Sequence, residues 1–253
     1  MTVVADTASV TQRNLWHFVR QPDLLLFSTI QPVMFVLLFV YVFGGAIEPS
    51  LPQGVEYVDY LLPGILVQSV AFRSSQTAVG LAEDLQRGVM DRFRSMPMSR
   101  SAVLTGRTFA DLIRNTVIVV LMIVVGFLVG FSFQNGVLAA LGSIAVILVF
   151  GYALSWVFAA IAFAADGAEA AQSAGFVAIF PLVFASSVFV PVETMPSWLQ
   201  WFAENSPVSV TADAARNLAL GGPVASDVLQ SLAWSAGIAV VFGAIAVRLY
   251  ERA

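Results

Sequence analysis

Residues 80–100 read GLAEDLQRGVMDRFRSMPMSR and hold seven charged side chains, in a chain of 253 residues that is 58% hydrophobic and 11% charged. Glu83, Asp84, Arg87, Asp91, Arg92 and Arg94 alternate with Leu85, Val89, Met90 and Phe93 at three- and four-residue steps, the pattern of an amphipathic helix. Glu83 with Arg87 forms an i, i+4 pair and Asp84 with Arg87 an i, i+3 pair, each worth about 0.2–0.5 kcal/mol on a helix surface. Pro97 stops such a helix, because the residue before a proline is pushed toward extended backbone. The pattern fits a solvated loop helix and equally a docking surface for a soluble protein.

A second group of polar residues lies inside an apolar run: Gln68, Ser69, Arg73, Ser74, Ser75, Gln76 and Thr77. Ser69, Arg73, Gln76 and Gly80 recur at four, three and four residues, so they share one helix face. An arginine at the centre of a bilayer costs at least about 2.5–3.5 kcal/mol. This face therefore lines a protein interior, a water-filled path or a subunit interface. Three roles fit Arg73: pairing with an acid or with backbone carbonyls on another helix, lining a substrate path with Gln68, Ser69 and Gln76, or snorkelling to the headgroups.

Other chemistry is limited by residue supply. There is no cysteine and a single histidine, His17, so no disulfide, thiolate or clustered-imidazole metal site is expected. All twelve basic residues are arginine; a phosphate loop of the form G-x-x-x-x-G-K-[ST] needs a lysine, so any ATP and magnesium would be bound by a different chain. The acids lie in loops or at span ends, which argues against an intramembrane enzyme. Only Pro181 interrupts a span centrally, where an ion channel or secondary carrier would want embedded acids or a symmetric pair of broken helices. No cofactor and no nucleic acid are expected to bind.

These residues are positioned by an all-α integral membrane domain occupying 1–253. Apolar runs of about 20 residues suit a hydrocarbon core about 30 Å thick, and such runs predict six spans near 24–46, 60–80, 109–131, 137–165, 171–190 and 228–249. Arg13, Arg20, Arg87, Arg92, Arg94, Arg100, Arg107, Arg248 and Arg252 fall in segments on one side, and Arg216 alone on the other. The positive-inside rule then puts both termini in the cytoplasm. The first residues lack the basic start of a cleavable signal, and no processing is expected.

Residues 10–21 predict an amphipathic helix in the inner headgroup layer, with Leu15, Trp16, Phe18 and Val19 apolar and Trp16 as anchor. Residues 191–222, PVETMPSWLQWFAENSPVSVTADAARNLALGG, predict an extracellular re-entrant or interfacial helical hairpin before the last span. Gly221 and Gly222 end its second helix, and Trp198 and Trp201 anchor it. Asp111 and Arg114 predict an i, i+3 pair, Asp166 and Glu169 a short inner turn, and Gly126 with Gly130 the small-residue motif of helix packing.

The run YLLPGILVQSVAFRSSQTAVGLAEDLQRGVMDRFRSMPMSRSAVLTGRTFADLIRN, with LPG, LAED, RG and P-SR in order, resembles the membrane subunits of type-2 ATP-binding-cassette exporters. It resembles in particular the daunorubicin-resistance type of drug or lipid exporter. GFVAIFPLVFASSVFVPVETMPSWLQWFAENSPVSVTADAARNL resembles the fifth span and outer hairpin of the same family. The resemblance implies that the charged stretch is a cytoplasmic coupling helix seated on a nucleotide-binding subunit through Glu83, Asp84, Arg87, Gly88, Asp91, Arg92, Arg94 and Pro97. It implies an elbow helix at residues 10–21, two separate ATPase subunits, a second permease copy and a bacterial cytoplasmic membrane. The cargo it implies is an amphipathic drug or lipid, with a polysaccharide or other glycoconjugate as the alternative. Gln86 stands where many relatives have an acid, and Arg73 matches no family motif.

Overall fold

The computed structural model describes residues 3–19, 22–51, 54–89 and 100–252, without the side chains of 3–6, 17–19, 22–29, 100–103, 251 and 252. Among the described residues there is no strand. The helices are α1 (Val3–Val19), α2 (Pro22–Leu38), α3 (Tyr57–Gln86), α4 (Arg100–Val129), α5 (Gly136–Ala164), α6 (Ala168–Phe184), α7 (Ser197–Asn205), α8 (Pro207–Leu220) and α9 (Val224–Arg252). α2 continues through one π turn, Phe39–Phe43, and short turns up to Ser50.

Among the described residues four segments are long and apolar enough to cross a membrane: Ile30–Ser50, Leu104–Val129, Gly136–Ala164 and Val224–Tyr250. The second and fifth predicted spans are not among them, for two different physical reasons. α3 sits at the centre of the bundle, packed against α5, α6, α8 and α4. Being sheathed by protein, it need not be uniformly apolar to satisfy its backbone away from water. α6 has 17 residues, short of the roughly 20 that cross the hydrocarbon. It continues one turn beyond Pro181, since Pro181 O still accepts from Ala185 N at 2.9 Å.

Close approach is secured by small residues and by polar groups that reach across helices, the forces that remain when lipid offers no hydrophobic drive. Ser74 Oγ of α3 donates to Gly151 O of α5 at 3.0 Å, and Ser143 Oγ of α5 to Ala215 O of α8 at 2.8 Å. Gly126 has a definite tenant: the Leu62 side chain of α3 fills the space where a Cβ would stand. Gly130, at φ +109°, ends α4. Of the two glycines, Gly126 thus serves packing within the chain, and Gly130 the helix end.

α1 is longer than expected and lies along the first half of α4. Val10, Thr11 and Asn14 face inward, at 3%, 7% and 6% exposure, while Trp16 faces out. The contact residues are mostly polar because Thr11 Oγ1 has a carbonyl to reach, Gly106 O at 3.1 Å. The side chains of His17, Phe18 and Val19 lie outside the described ones.

α7 and α8 form the helical pair expected over 191–222. Pro207 opens α8, where its missing N–H costs nothing. Gly221, at φ +94°, closes it, with Gly221 N and Gly222 N both donating to Asn217 O. Trp198 and Trp201 are exposed, whereas most of α8 is buried against α5, α9 and α3.

Candidate functional site

Three helices build the charged end of the bundle. Asp84, in the last turn of α3, accepts from the Arg107 guanidinium of α4 at 3.3 Å and from that of Arg13 of α1 at 3.4 Å. One turn along α4, Asp111 accepts from Thr77 Oγ1 of α3 at 2.7 Å and from Arg114 at 3.2 Å, with Arg107 Nε 3.9 Å away. Arg114 also donates to Asn14 O at 2.7 Å, which returns the network to α1. Two acids and three arginines therefore bind α1, α3 and α4 into one unit. A Cβ on Gly80 would collide with the Arg107 guanidinium, so the bare glycine surface admits the cation.

The expected Asp84–Arg87 pair is absent: Asp84 is taken by the two arginines, and its side chain is only 15% exposed. Glu83 and Arg87 do pair, at 3.3 Å, with 44% and 66% of their side chains exposed. One helix from 83 to 94 is also not what forms. α3 carries the start of the charged stretch without a break to Gln86, and Arg87–Gly88 then turn, Gly88 at φ +66° donating to Leu85 O at 3.0 Å. A left-handed turn of this kind strains any residue with a Cβ. Asp91, Arg92, Arg94 and Pro97 lie outside the described residues.

Beside this end sits the short turn between α5 and α6. A Cβ on Gly167 would strike the Gln86 carboxamide, and Asp166 and Glu169 are exposed there. Phe163 and Tyr250, with ring centroids 5.6 Å apart, bring the end of α9 to the same level. Arg13, Arg87, Arg107 and Arg248 consequently share one end of the bundle.

The predicted polar face on α3 is graded. Gln68 and Ser69 are buried, Arg73 is half-buried and Gln76 is exposed. Gln68 Oε1 and Arg73 Nε are buried without a hydrogen-bond partner. Arg73 lies within electrostatic reach of Asp111 and Arg114, yet Asp111 is already engaged by Thr77, Arg107 and Arg114. Among the described residues Arg73 makes no ion pair.

Next to Phe72 begins a row of aromatic rings that residue-by-residue reading missed. Phe72 meets Phe176 at 6.3 Å between centroids; Phe176, Phe180, Phe184 and Phe189 follow at 5.2, 4.3 and 5.4 Å; Phe39 closes on Phe189 at 4.6 Å. The signal was present as i, i+4, i+8 phenylalanines on α6, which share a face. Phe176, Phe180 and Phe184 are 53%, 42% and 40% exposed, so the row is an open strip of ring faces and edges. It leads from the level of Arg73 toward the opposite end of the bundle.

That opposite end is held by Arg216 of α8, read from sequence only as a stray outer charge. It is 7% exposed. Its Nε donates to Tyr60 O at 2.9 Å and Nη2 to Ser187 O at 3.0 Å, Nη1 pairs with Asp213, and the guanidinium lies 3.6 Å from the Tyr60 ring centroid. Ser187 Oγ donates to Asp213 at 2.9 Å. Burial pushes the Asp213 carboxyl above the usual carboxylate range, against the opposing pull of Arg216 and Ser187. Asp59, at the start of α3, accepts from Ser132 N and Gln134 Nε2 at 3.1 and 3.0 Å, joining the α4–α5 loop to the same assembly.

Residues 6–220 match the family model described as ABC-2 type transporter. The chain is 36% identical over 251 residues to a daunorubicin resistance ABC transporter permease protein, DrrB1, of Streptomyces coeruleorubidus, covering 98% of this chain and 88% of that one. It is 28% identical over 256 residues to a probable doxorubicin resistance ABC transporter permease protein, DrrC, of Mycobacterium tuberculosis, covering 99% and 90%. To a putative transport permease, ycf38, of Porphyra purpurea it is 23% identical over 216 residues, 85% and 74% of the two chains. With its bundle of apolar helices and a match that spans most of its length, the chain belongs to the ABC-2 type transporter family of membrane permeases.

Proposed function

We propose that this chain is the membrane permease of an exporter of planar, aromatic amphipathic drugs, driven by separate ATP-hydrolysing subunits that dock at its arginine-rich end. The supporting observation is mechanical. α3 runs unbroken for 30 residues, about 45 Å at 1.5 Å per residue. One end is clamped by Asp84 to α1 and α4, and further along it carries Phe72 beside the aromatic row. A push delivered just past Gln86 is thereby transmitted along a rigid rod rather than lost in a loop.

In this reading Glu83, Arg87 and Gly88, with Asp91, Arg92, Arg94 and Pro97, present the docking surface, while Asp84 holds that surface to the bundle. Exposed charges there set register and orientation on a polar partner more than they add affinity. Six crossings result when α3 and α6 are added to the four apolar spans. Both termini then lie in the cytoplasm with the arginines, and α7–α8 is an outer re-entrant pair. Two copies, or one copy and a homologous chain, enclose the pathway, lined by Gln68, Ser69, Arg73, Gln76 and the ring strip. ATP and magnesium belong to the partner subunits.

An aromatic cargo suits the strip because offset or edge-on ring contacts are worth about 0.5–1.5 kcal/mol each beyond area burial. The names of the relatives, with resistance to daunorubicin and doxorubicin, point the same way. The experiment is efflux of daunorubicin from cells expressing the chain with an ATP-binding-cassette ATPase that co-purifies with it, comparing wild type with a double R87E/R92E variant. Co-purification of the ATPase and efflux should both fall at normal expression of the variant; unchanged efflux would remove the coupling role.

A further inference from the structure

On the far side of α5 from the aromatic row, α5 and α9 leave a groove of about 540 Å³. Tyr152 and Trp156 form one wall, with their rings edge to face at 6.3 Å. Ala239, Gly243 and Ala244 form the other, and these small side chains are what keep the groove open. Gly243 faces the Trp156 indole, its missing Cβ 3.6 Å from the ring. The groove is lined almost wholly by carbon and ends on one cation, Arg248. That guanidinium is exposed and forms no ion pair among the described residues.

From Ala239 to Arg248 the groove extends about 14 Å along α9 at 1.5 Å per residue, close to half of a hydrocarbon core about 30 Å thick. It is therefore the depth of one leaflet, closed by a positive charge at the arginine-rich end. A molecule that fills it needs an alkyl chain and an anion at one terminus. We infer that the groove between α5 and α9 holds an acyl chain of an anionic glycerophospholipid, drawn from the leaflet at the arginine-rich end, with its phosphate on Arg248. Basic pockets between membrane helices bind anionic headgroups by this charge complementarity, and a guanidinium–phosphate contact is among the stronger hydrogen-bonded pairs. The lipid would wedge α9 against α5 as a structural component, apart from any cargo.

Native mass spectrometry of the purified full chain, delipidated and titrated with dioleoylphosphatidylglycerol or dioleoylphosphatidylcholine, tests this directly. Wild type should retain phosphatidylglycerol preferentially. Arg248→Gln should bind it about tenfold more weakly, the effect of losing one charged contact, and Arg248→Lys should recover part of the loss. Gly243→Leu, which fills the groove and leaves the cation in place, should also release the lipid. Equal retention of the two lipids by wild type, or undiminished phosphatidylglycerol on both R248Q and G243L, would overturn the inference. The readout is lipid mass on folded protein, so it stands or falls independently of transport.

Discussion

The Asp84 carboxylate at the end of α3 and the Arg107 guanidinium on α4 lie 3.3 Å apart, at 15% and 12% side-chain exposure, directly over the bare backbone of Gly80. The pair is made within a cluster whose other cations, Arg13 and Arg114, come from α1 and α4. A charge in this position holds helices together, whereas Arg87 three residues later stays largely exposed and pairs with Glu83 of its own helix. The division gives neighbouring residues opposite mutational signatures.

Asp84→Asn should lower the amount of folded protein, since removing one partner of a mostly buried ion pair costs about 3–5 kcal/mol. Arg87→Gln should leave stability within about 0.5 kcal/mol, as for an exposed helix pair, while weakening association with the ATPase. Thermal unfolding in detergent and pull-down of the partner, done on both variants, separate the two roles.

Gly80→Val should also lower the amount of folded protein. Its side chain would occupy the space of the Arg107 guanidinium and force the α3–α4 contact apart, an overpacking cost of about 1–3 kcal/mol or more. A G80V/R107A double variant should regain part of the loss, which fluorescence-detected size exclusion would register.

Arg216→Met should destabilise the end of the bundle opposite the charged cluster, because it removes the cation beside Asp213 and the donors to two carbonyls together. Arg216→Lys should not rescue it: an ammonium cannot reach Tyr60 O, Ser187 O and Asp213 in the same fork-like geometry. Proteolysis of the α7–α8 region should accelerate in both variants.

Phe180→Ala and Phe184→Ala should leave the fold intact, since both rings are about 40% exposed. Daunorubicin-stimulated ATPase activity of the assembled complex should nevertheless decline, each ring contributing about 0.5–1.5 kcal/mol to an aromatic ligand. Phe180→Tyr, which keeps the ring, should retain most of the activity. Equal activity in the alanine and tyrosine variants would show that cargo does not use the strip.

The primary structure by itself determined the membrane character, the apolar runs, the two helices within 191–222 with their proline and glycine ends, and the Glu83–Arg87 pair. Each depends on composition or on contacts within one or two helical turns. What only tertiary structure decided were the partners of long polar side chains. Asp84 could have paired with Arg87 three residues away, and it pairs instead with Arg13 and Arg107 because packing brings those cations to a less solvated position. Arg216 looked like an isolated outer charge until folding supplied Tyr60 and Ser187 from distant segments. In hindsight the stripe Arg107, Asp111, Arg114 on α4 matches Thr77 and Asp84 on α3, but a stripe does not name the helix it will face. The polarity of α3, predicted as the second span, follows from the same cause: a helix wrapped by its neighbours is solvated by protein, and its polar residues answer to what they present.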